Sequence, residues 1–290
     1  MKIFETIREM REFVEGAREK RLRIAFVPTM GYFHEGHLNL MREGKKYGDI
    51  LVISIYVNPT QFSPSEDLSA YPRNLARDHE LAAGVGVDVI FQPNDSQMYP
   101  EGSQTYVNVE KLTRNLCGVS RPHHFRGVTT VCAKLFNIVE PHTALFGKKD
   151  YQQLAAIKRM VADLGMNIEV IGMPTTREPG GLAMSSRNVY LSKEERQSAL
   201  SLSHSLHLAQ SAFKAGQCNA AEIIALVREH IGKHPYTDID YVQICETMNF
   251  TDVETIEEGC LLALAVRVGK ARLIDNHIFG EEINIPSTEV

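Results

Sequence analysis

Residues 50–57 read Ile-Leu-Val-Ile-Ser-Ile-Tyr-Val, an uncharged run dominated by β-branched side chains. It is far too short to cross a membrane as a helix, and a half-exposed strand would alternate with polar residues. A strand buried on both faces fits, and such strands belong to parallel sheets covered by helices. The neighbouring segments agree. An amphipathic helix is expected over residues 6–19, with Thr6 and Glu9 as a capping box and Ile7, Met10, Val14 and Ala17 at helical spacing. Strands are expected over 24–27, stopped by Pro28, then over 87–91, 144–146 and 168–171. Helices are expected over 38–47, 75–83, 128–139 and 151–164, two of them ending at Gly84 and Gly165. Strands alternating with helices define an α/β, Rossmann-like, doubly wound parallel sheet, whose ligands bind beyond the carboxyl ends of the strands.

The pattern changes after Pro174. Residues 175–188 contain Pro179-Gly180-Gly181 and read as a loop or hinge. A long helix capped by Ser192 and Glu195 follows, running to about Ala215, then a second helix over 219–231. Strands are expected over 239–246, 261–268 and 271–275, the last two joined at Gly269-Lys270. The expected division is a Rossmann-like domain over residues 1–176 and a smaller α+β domain over 177–290.

Composition narrows the function classes. The net charge of −5, from 31 Lys plus Arg against 36 Asp plus Glu, is a poor match to a nucleic-acid backbone. Five cysteines, none closer than 15 residues to the next, form neither a disulfide scaffold nor a Cys-x-x-Cys pair. Acidic residues appear from Glu5 onward and no signal-peptide apolar region precedes them, so a cytoplasmic protein is expected, with neither nucleic-acid nor membrane partners.

Four segments carry chemistry. Met30-Gly31-Tyr32-Phe33-His34-Glu35-Gly36-His37 follows a strand and enters a helix. His34 and His37 are three residues apart and share a face at a helix N-terminus, where free amides favour an anion; Gly31 and Gly36 let a ligand approach the backbone. A phosphate chain suits two imidazoles there, whereas the metalloprotease motif needs one more residue between its histidines. Asn58-Pro59-Thr60-Gln61 follows the strongest strand, and Gln61 offers both a donor and an acceptor, though Asn-Pro is also a turn signal. Gly147-Lys148-Lys149-Asp150-Tyr151-Gln152-Gln153 again bridges strand and helix; a lysine here neutralises phosphate, and Asp150 either accepts from a ribose or caps the helix. Met184-Ser185-Ser186-Arg187 supplies two hydroxyls and a guanidinium, a phosphate clamp or a solvated loop. The Walker loop, the dinucleotide fingerprint and the Gly-x-Ser-x-Gly nucleophile motif are absent from the sequence.

Together and in this order, these segments resemble the pantoate–β-alanine ligases, nucleotidyltransferases with a His-x-Gly-His signature related to class I aminoacyl-tRNA synthetases. The resemblance runs from Pro28 to Asn276. It implies ATP and Mg²⁺, a pantoyl-adenylate intermediate, attack by β-alanine, and a homodimer. It assigns catalytic roles to His37, His34, Lys149 and Arg187, with His37 the proton donor. It places ATP against Met30, Gly31, His34, Gly36, His37, Gly147, Lys149, Asp150, Thr176, Met184, Ser185, Ser186 and Arg187. Gln61, Gln153 and Arg121 are implied to bind substrate, and Asp78 to be the magnesium-side carboxylate. Departures from the usual family residues are Tyr32-Phe33 for Ala-Leu, Lys148 for Glu, Thr176 for Val, and Arg77 where a second acidic residue is frequent. A coenzyme adenylyltransferase of the same superfamily would keep the histidines without needing Gln61 and Gln153. A tRNA synthetase is disfavoured by length and acidity. A non-catalytic nucleotide sensor would not need His37, Lys149 and the Ser-Ser-Arg loop together.

Overall fold

The computed structural model of the chain describes residues 1–63, 68–69 and 71–283, so residues 284–290 of the expected second domain lie outside it. The chain divides into two compact units. The first holds Met1–Thr113, Arg121–Lys148 and Gln152–Pro174; the second holds Arg114–Ser120, Lys149–Tyr151 and the chain from Thr175 onward.

The strands of the first unit are β1 (Lys2–Phe4), β2 (Ile24–Thr29), β3 (Ile50–Ile55), β4 (Val89–Phe91), β5 (Thr143–Gly147) and β6 (Glu169–Met173). Its helices are α1 (Ile7–Glu19), α2 (Glu35–Gly44), α3 (Leu75–Gly84) and the single turn α4 (Asp95–Met98). After α5 (Cys117–Ser120), which lies in the second unit, come α6 (His124–Val139) and α7 (Tyr151–Asp163). All six strands are parallel, in the order β1-β4-β3-β2-β5-β6. The chain winds outward from β2 through β3 to β4 on one side and through β5 to β6 on the other. The topological switch point therefore lies between β2 and β5, where such sheets bind ligands.

Both faces of the sheet are apolar, as the 50–57 run requires. Phe26 and Val52 point into a core with Met10 and Val14 of α1, Phe136 of α6 and Ile157 of α7. Their strand neighbours Ala25, Val27, Leu51 and Ile53 point the other way, against Leu38 and Met41 of α2 and Ala82 of α3. The capping box of α1 forms, with Glu9 N–H donating to Thr6 Oγ1 and Thr6 N–H to Glu9 Oε2.

Several boundaries differ from expectation. Strand β2 continues through Pro28 to Thr29; pairing with β5 ends at Phe26, so β2 there keeps only β3 as neighbour, and the Thr29 hydroxyl donates to Ser54 O. Helices α2 and α6 begin earlier than their apolar periodicity does, because their first turns carry polar residues and glycine, Glu35, Gly36 and His37 in one and His124, Arg126 and Gly127 in the other. The edge strand β1 is three residues long, too short to show a period.

The second unit is built on an antiparallel sheet of β7 (Thr237–Cys245), β8 (Leu261–Val268) and β9 (Ala271–Ile278) in sequence order. Helices α8 (Lys193–Lys214) and α9 (Ala220–Gly232) cover it, with Leu202, Leu206, Ile223 and Val227 meeting Leu262, Leu264 and Val266. Ser192 and Glu195 form the expected capping box. Among the described residues no helix is long and apolar enough to cross a membrane.

Candidate active site

The loop after β2 turns sharply. Gly31 and Tyr32 both have positive φ, 81° and 51°, so the chain leaves the strand through two consecutive left-handed residues. His34 then caps α2 and His37 occupies its first turn, with ring centroids 4.0 Å apart. His34 N–H donates to His37 Nδ1 at 3.4 Å, which leaves the proton of a neutral His37 on Nε2. The cap aligns two imidazoles with the amides of a ten-residue helix, an arrangement that attracts anions.

Beyond β3, Asn58 organises the next loop. Burial lifts the Tyr99 phenol above its ordinary range and keeps it protonated, so it donates to Asn58 Oδ1 at 2.9 Å. Thr60 also donates to that oxygen, through its hydroxyl at 2.9 Å. The Asn58 amide nitrogen is thereby turned toward Gly127 O at 3.1 Å and Gln61 Oε1 at 3.0 Å. Gln61, 8% exposed, then points its own NH₂ group at the Met30 sulfur 3.2 Å away. The Gln61 carbonyl accepts from Arg121 at 3.4 Å and lies 2.9 Å from the His124 ring. Helix α6 approaches closely only because residue 127 is glycine: a Cβ there would sit 2.4 Å from Thr60 O.

Met30, Gln61 and Arg121 are thus brought together. Asn58, Tyr99 and His124, which hold them, were not singled out as site residues by the motifs. The Asn-Pro signal marked Asn58 as a turn former, and Tyr99 and His124 lie in segments with no motif of their own. Asn58→Ala would remove the oxygen shared by the Tyr99 and Thr60 hydroxyls and the amide that donates to Gly127 O and Gln61 Oε1, all within a buried site. A loss of about 1–3 kcal/mol is expected, measurable by urea unfolding; a wild-type midpoint would contradict this network.

After β5, the turn Lys148–Asp150 leads into α7. Gln152 is buried and donates to Leu112 O at 2.9 Å, whereas Gln153 is half-buried with no side-chain hydrogen bond to a described residue. The structural glutamine and the available one are therefore adjacent. In the second unit, Lys149 Nζ lies 3.8 Å from Asp150 Oδ2, and Asn276 Nδ2 donates to Lys149 O at 2.7 Å. Residues 175–188, read as a loop or hinge, form a pinned turn around Gly180 and Gly181. Arg177 bridges to Ala183, and Met184 N–H donates to Thr176 O at 2.9 Å. Ser185 Oγ accepts from Arg187 N–H at 3.2 Å, starting the short helix Ser186–Tyr190. Asn188 fastens that helix to Ala183 O and to Glu178, itself paired with Arg196.

Asp78, on α3, is 1% exposed, and both its oxygens accept backbone N–H bonds from the loop after β2. Among the described residues no group of three His, Cys, Asp or Glu side chains is placed to hold a metal ion.

Residues 2–278 match the family model described as pantoate-beta-alanine ligase. The pantothenate synthetase of Syntrophus aciditrophicus (strain SB) is 62% identical over 285 residues, covering 98% of this chain and all of that protein. A solved structure of pantothenate synthetase from Thermus thermophilus superposes with a TM-score of 0.91 at 43% identity, over 96% of this chain and 99% of that one. A pantoate-beta-alanine ligase from Francisella tularensis, complexed with beta-gamma ATP and beta-alanine, gives 0.82 at 33% identity, over 98% and 100%.

Proposed function

The chain belongs to the pantoate–β-alanine ligase family, and we infer from that premise how its own residues divide the work. The enzyme condenses pantoate with β-alanine, using ATP, to give pantothenate. The pantoate carboxylate attacks the α-phosphate of ATP, forming pantoyl adenylate and releasing pyrophosphate. The β-alanine amine then attacks the acyl carbon, and AMP leaves.

Little covalent work falls to the protein in either step. It must align the carboxylate with the α-phosphate, neutralise charge as the phosphorus becomes five-coordinate, and keep water from the mixed anhydride. Met30, Gly31, Gly36 and Gly147 line the nucleotide site. His34 and His37 bind the phosphates at the N-terminus of α2, and His37 donates from Nε2 to the charge developing there. Gln61 and Gln153 hold pantoate, Gln61 also lies near β-alanine, and Arg121 faces the carboxylate. Lys149 meets the α-phosphate and Asp150 the ribose. Thr176 and Met184 flank the adenine, while Ser185, Ser186 and Arg187 close over the β- and γ-phosphates as a lid from the domain of residues 177–290. Magnesium enters with the triphosphate as part of the substrate complex. Family resemblance is the support for a homodimer. The five free cysteines are consistent with the reducing cytoplasm.

The observation that carries this division is the Gln61 amide. It is oriented by Asn58, and it sits against Met30 in the same unit as the histidine-capped helix. Incubation with ATP, pantoate and β-alanine should yield AMP and pantothenate in equal amounts. ADP in place of AMP would refute adenylation. Lys149→Ala should lower kcat and kcat/KM for ATP together, on the order of a hundredfold, since the lysine acts on charge that appears only in the transition state. A change confined to KM would make Lys149 a ground-state binder.

A further inference from the structure

Helix α3 touches the histidine loop through two consecutive residues. Asp78 Oδ2 accepts from Tyr32 N–H at 2.7 Å and Asp78 Oδ1 from Phe33 N–H at 2.8 Å. Arg77 Nη1 donates to Phe33 O at 2.9 Å, and its guanidinium carbon lies 5.6 Å from the centre of the Tyr32 ring. These contacts hold the unfavourable part of the loop, Gly31 and Tyr32 in the left-handed region. The fit is close: a Cβ on Gly31 would lie 3.0 Å from Asp78 Oδ2 and 3.0 Å from Ile55 Cγ2. The next residue, Phe33, is fully buried in the core between sheet and helices, and its ring lies 5.7 Å from that of His37. A packed path therefore runs from Arg77 and Asp78, through Tyr32 and Phe33, to the His37 imidazole. Two departures from the usual family residues, Tyr32 and Arg77, meet each other in this path.

The same geometry does not suit Asp78 to magnesium. That ion demands near-octahedral oxygen ligands at about 2.0–2.1 Å and usually keeps several waters. Asp78 is sealed from solvent, each oxygen is engaged by a charge-assisted backbone bond, and no acidic or imidazole cluster among the described residues could complete a site. We propose that Arg77 and Asp78 are positioning residues that fix the loop carrying His34 and His37, and that Asp78 is not a magnesium ligand.

The activity assay rests on the ligase reading, so the parent enzyme is assayed first; a parent that makes no pantothenate would sink that reading and leave this proposal to the amide measurement below. Asp78→Asn keeps one acceptor oxygen and Asp78→Ala keeps none. The expected result is a graded fall in kcat, at least tenfold for Asn and further for Ala. The KM for pantoate and the Mg²⁺ concentration giving half-maximal rate should stay within twofold of the parent. Hydrogen exchange at the Tyr32 and Phe33 amides should accelerate in both variants. If Asp78 bound the metal, the Mg²⁺ midpoint would rise tenfold or more, and saturating Mg²⁺ would restore parental kcat; that overturns the proposal. Parental kcat with parental amide protection overturns it equally. Should the Asp78 variants fail to fold, Arg77→Ala leaves the carboxylate in place. It should lower kcat several-fold at an unchanged Mg²⁺ midpoint, and a kcat equal to the parent's would remove Arg77 from the device and the proposal with it.

Discussion

Replacing His37 by alanine should lower kcat by about 10²–10³-fold, a barrier of about 2.7–4 kcal/mol, in a protein that still folds. The size follows from where the imidazole sits. Nδ1 accepts from His34 N–H, so the proton on Nε2 is aimed by the backbone and not by a mobile side chain. A donor held this way needs no reorganisation when charge builds on the phosphate, and losing it removes an interaction made mainly in the transition state. The structural cost is small, because His37 lies in the first turn of α2 and the core residues of that helix are Leu38 and Met41. Steady-state kinetics beside a thermal melt separate the two effects. An unchanged kcat in a folded variant would remove His37 from the mechanism.

The largest expected loss of stability lies in the second unit, at Arg177 and Asp275. Their side chains are 6% and 1% exposed, with Nη1–Oδ2 at 2.6 Å and Nη2–Oδ1 at 3.0 Å. Arg177 also donates to Gly181 O, and Asp275 accepts from Asn276 N–H, so the pair ties the turn at Gly180 and Gly181 to β9. Removing one partner leaves an uncompensated buried charge. Asp275→Ala should therefore destabilise the unit by about 3–5 kcal/mol. The double variant Arg177→Met with Asp275→Leu, which leaves neither charge, should unfold at a higher denaturant concentration than Asp275→Ala alone. The opposite order would mean that Arg177 without Asp275 carries no net burial penalty, its bond to Gly181 O offsetting the lost partner. Acid acts on the same region. Burial holds His277 down at about 4 and lowers His207 and His230 as well. Folded-state values below the ordinary 6.5 contribute stability that is complete above that value and is lost as pH falls toward 4.

Much of this architecture is written in periodicity. The uncharged 50–57 run, the amphipathic spacing of α1 and its Thr6–Glu9 box are local patterns, and each reappears as strand, helix and cap. The loops after β2, β3 and β5 stand out in the sequence because they place histidine, glutamine and lysine at strand ends. Other features have no local signature. The Asp78 bonds run to backbone amides about 45 positions away, and nothing in the side chains of Tyr32 or Phe33 announces them. Asn58 reads as a turn former because its Gly127 and Tyr99 partners are remote in sequence. The adjacent Gln152 and Gln153 are distinguished only by the helical phase that buries one of them. The segment Arg114–Ser120 belongs to the second unit through contacts such as Asn115 to Phe250 O and Ser120 to Asp240, which no reading of its own residues reveals.

Adenylation of pantoate must be reversible before β-alanine arrives, and isotope exchange tests that step directly. With enzyme, Mg²⁺, ATP and pantoate present, and β-alanine and RNA absent, labelled pyrophosphate should enter ATP. Gln153→Ala should require far more pantoate for the same exchange, because the substrate's polar groups lose a partner worth about 1–3 kcal/mol, while nucleotide binding stays near normal. Exchange that proceeds without pantoate, or exchange in Gln153→Ala indistinguishable from the parent, would contradict pantoate activation at this site.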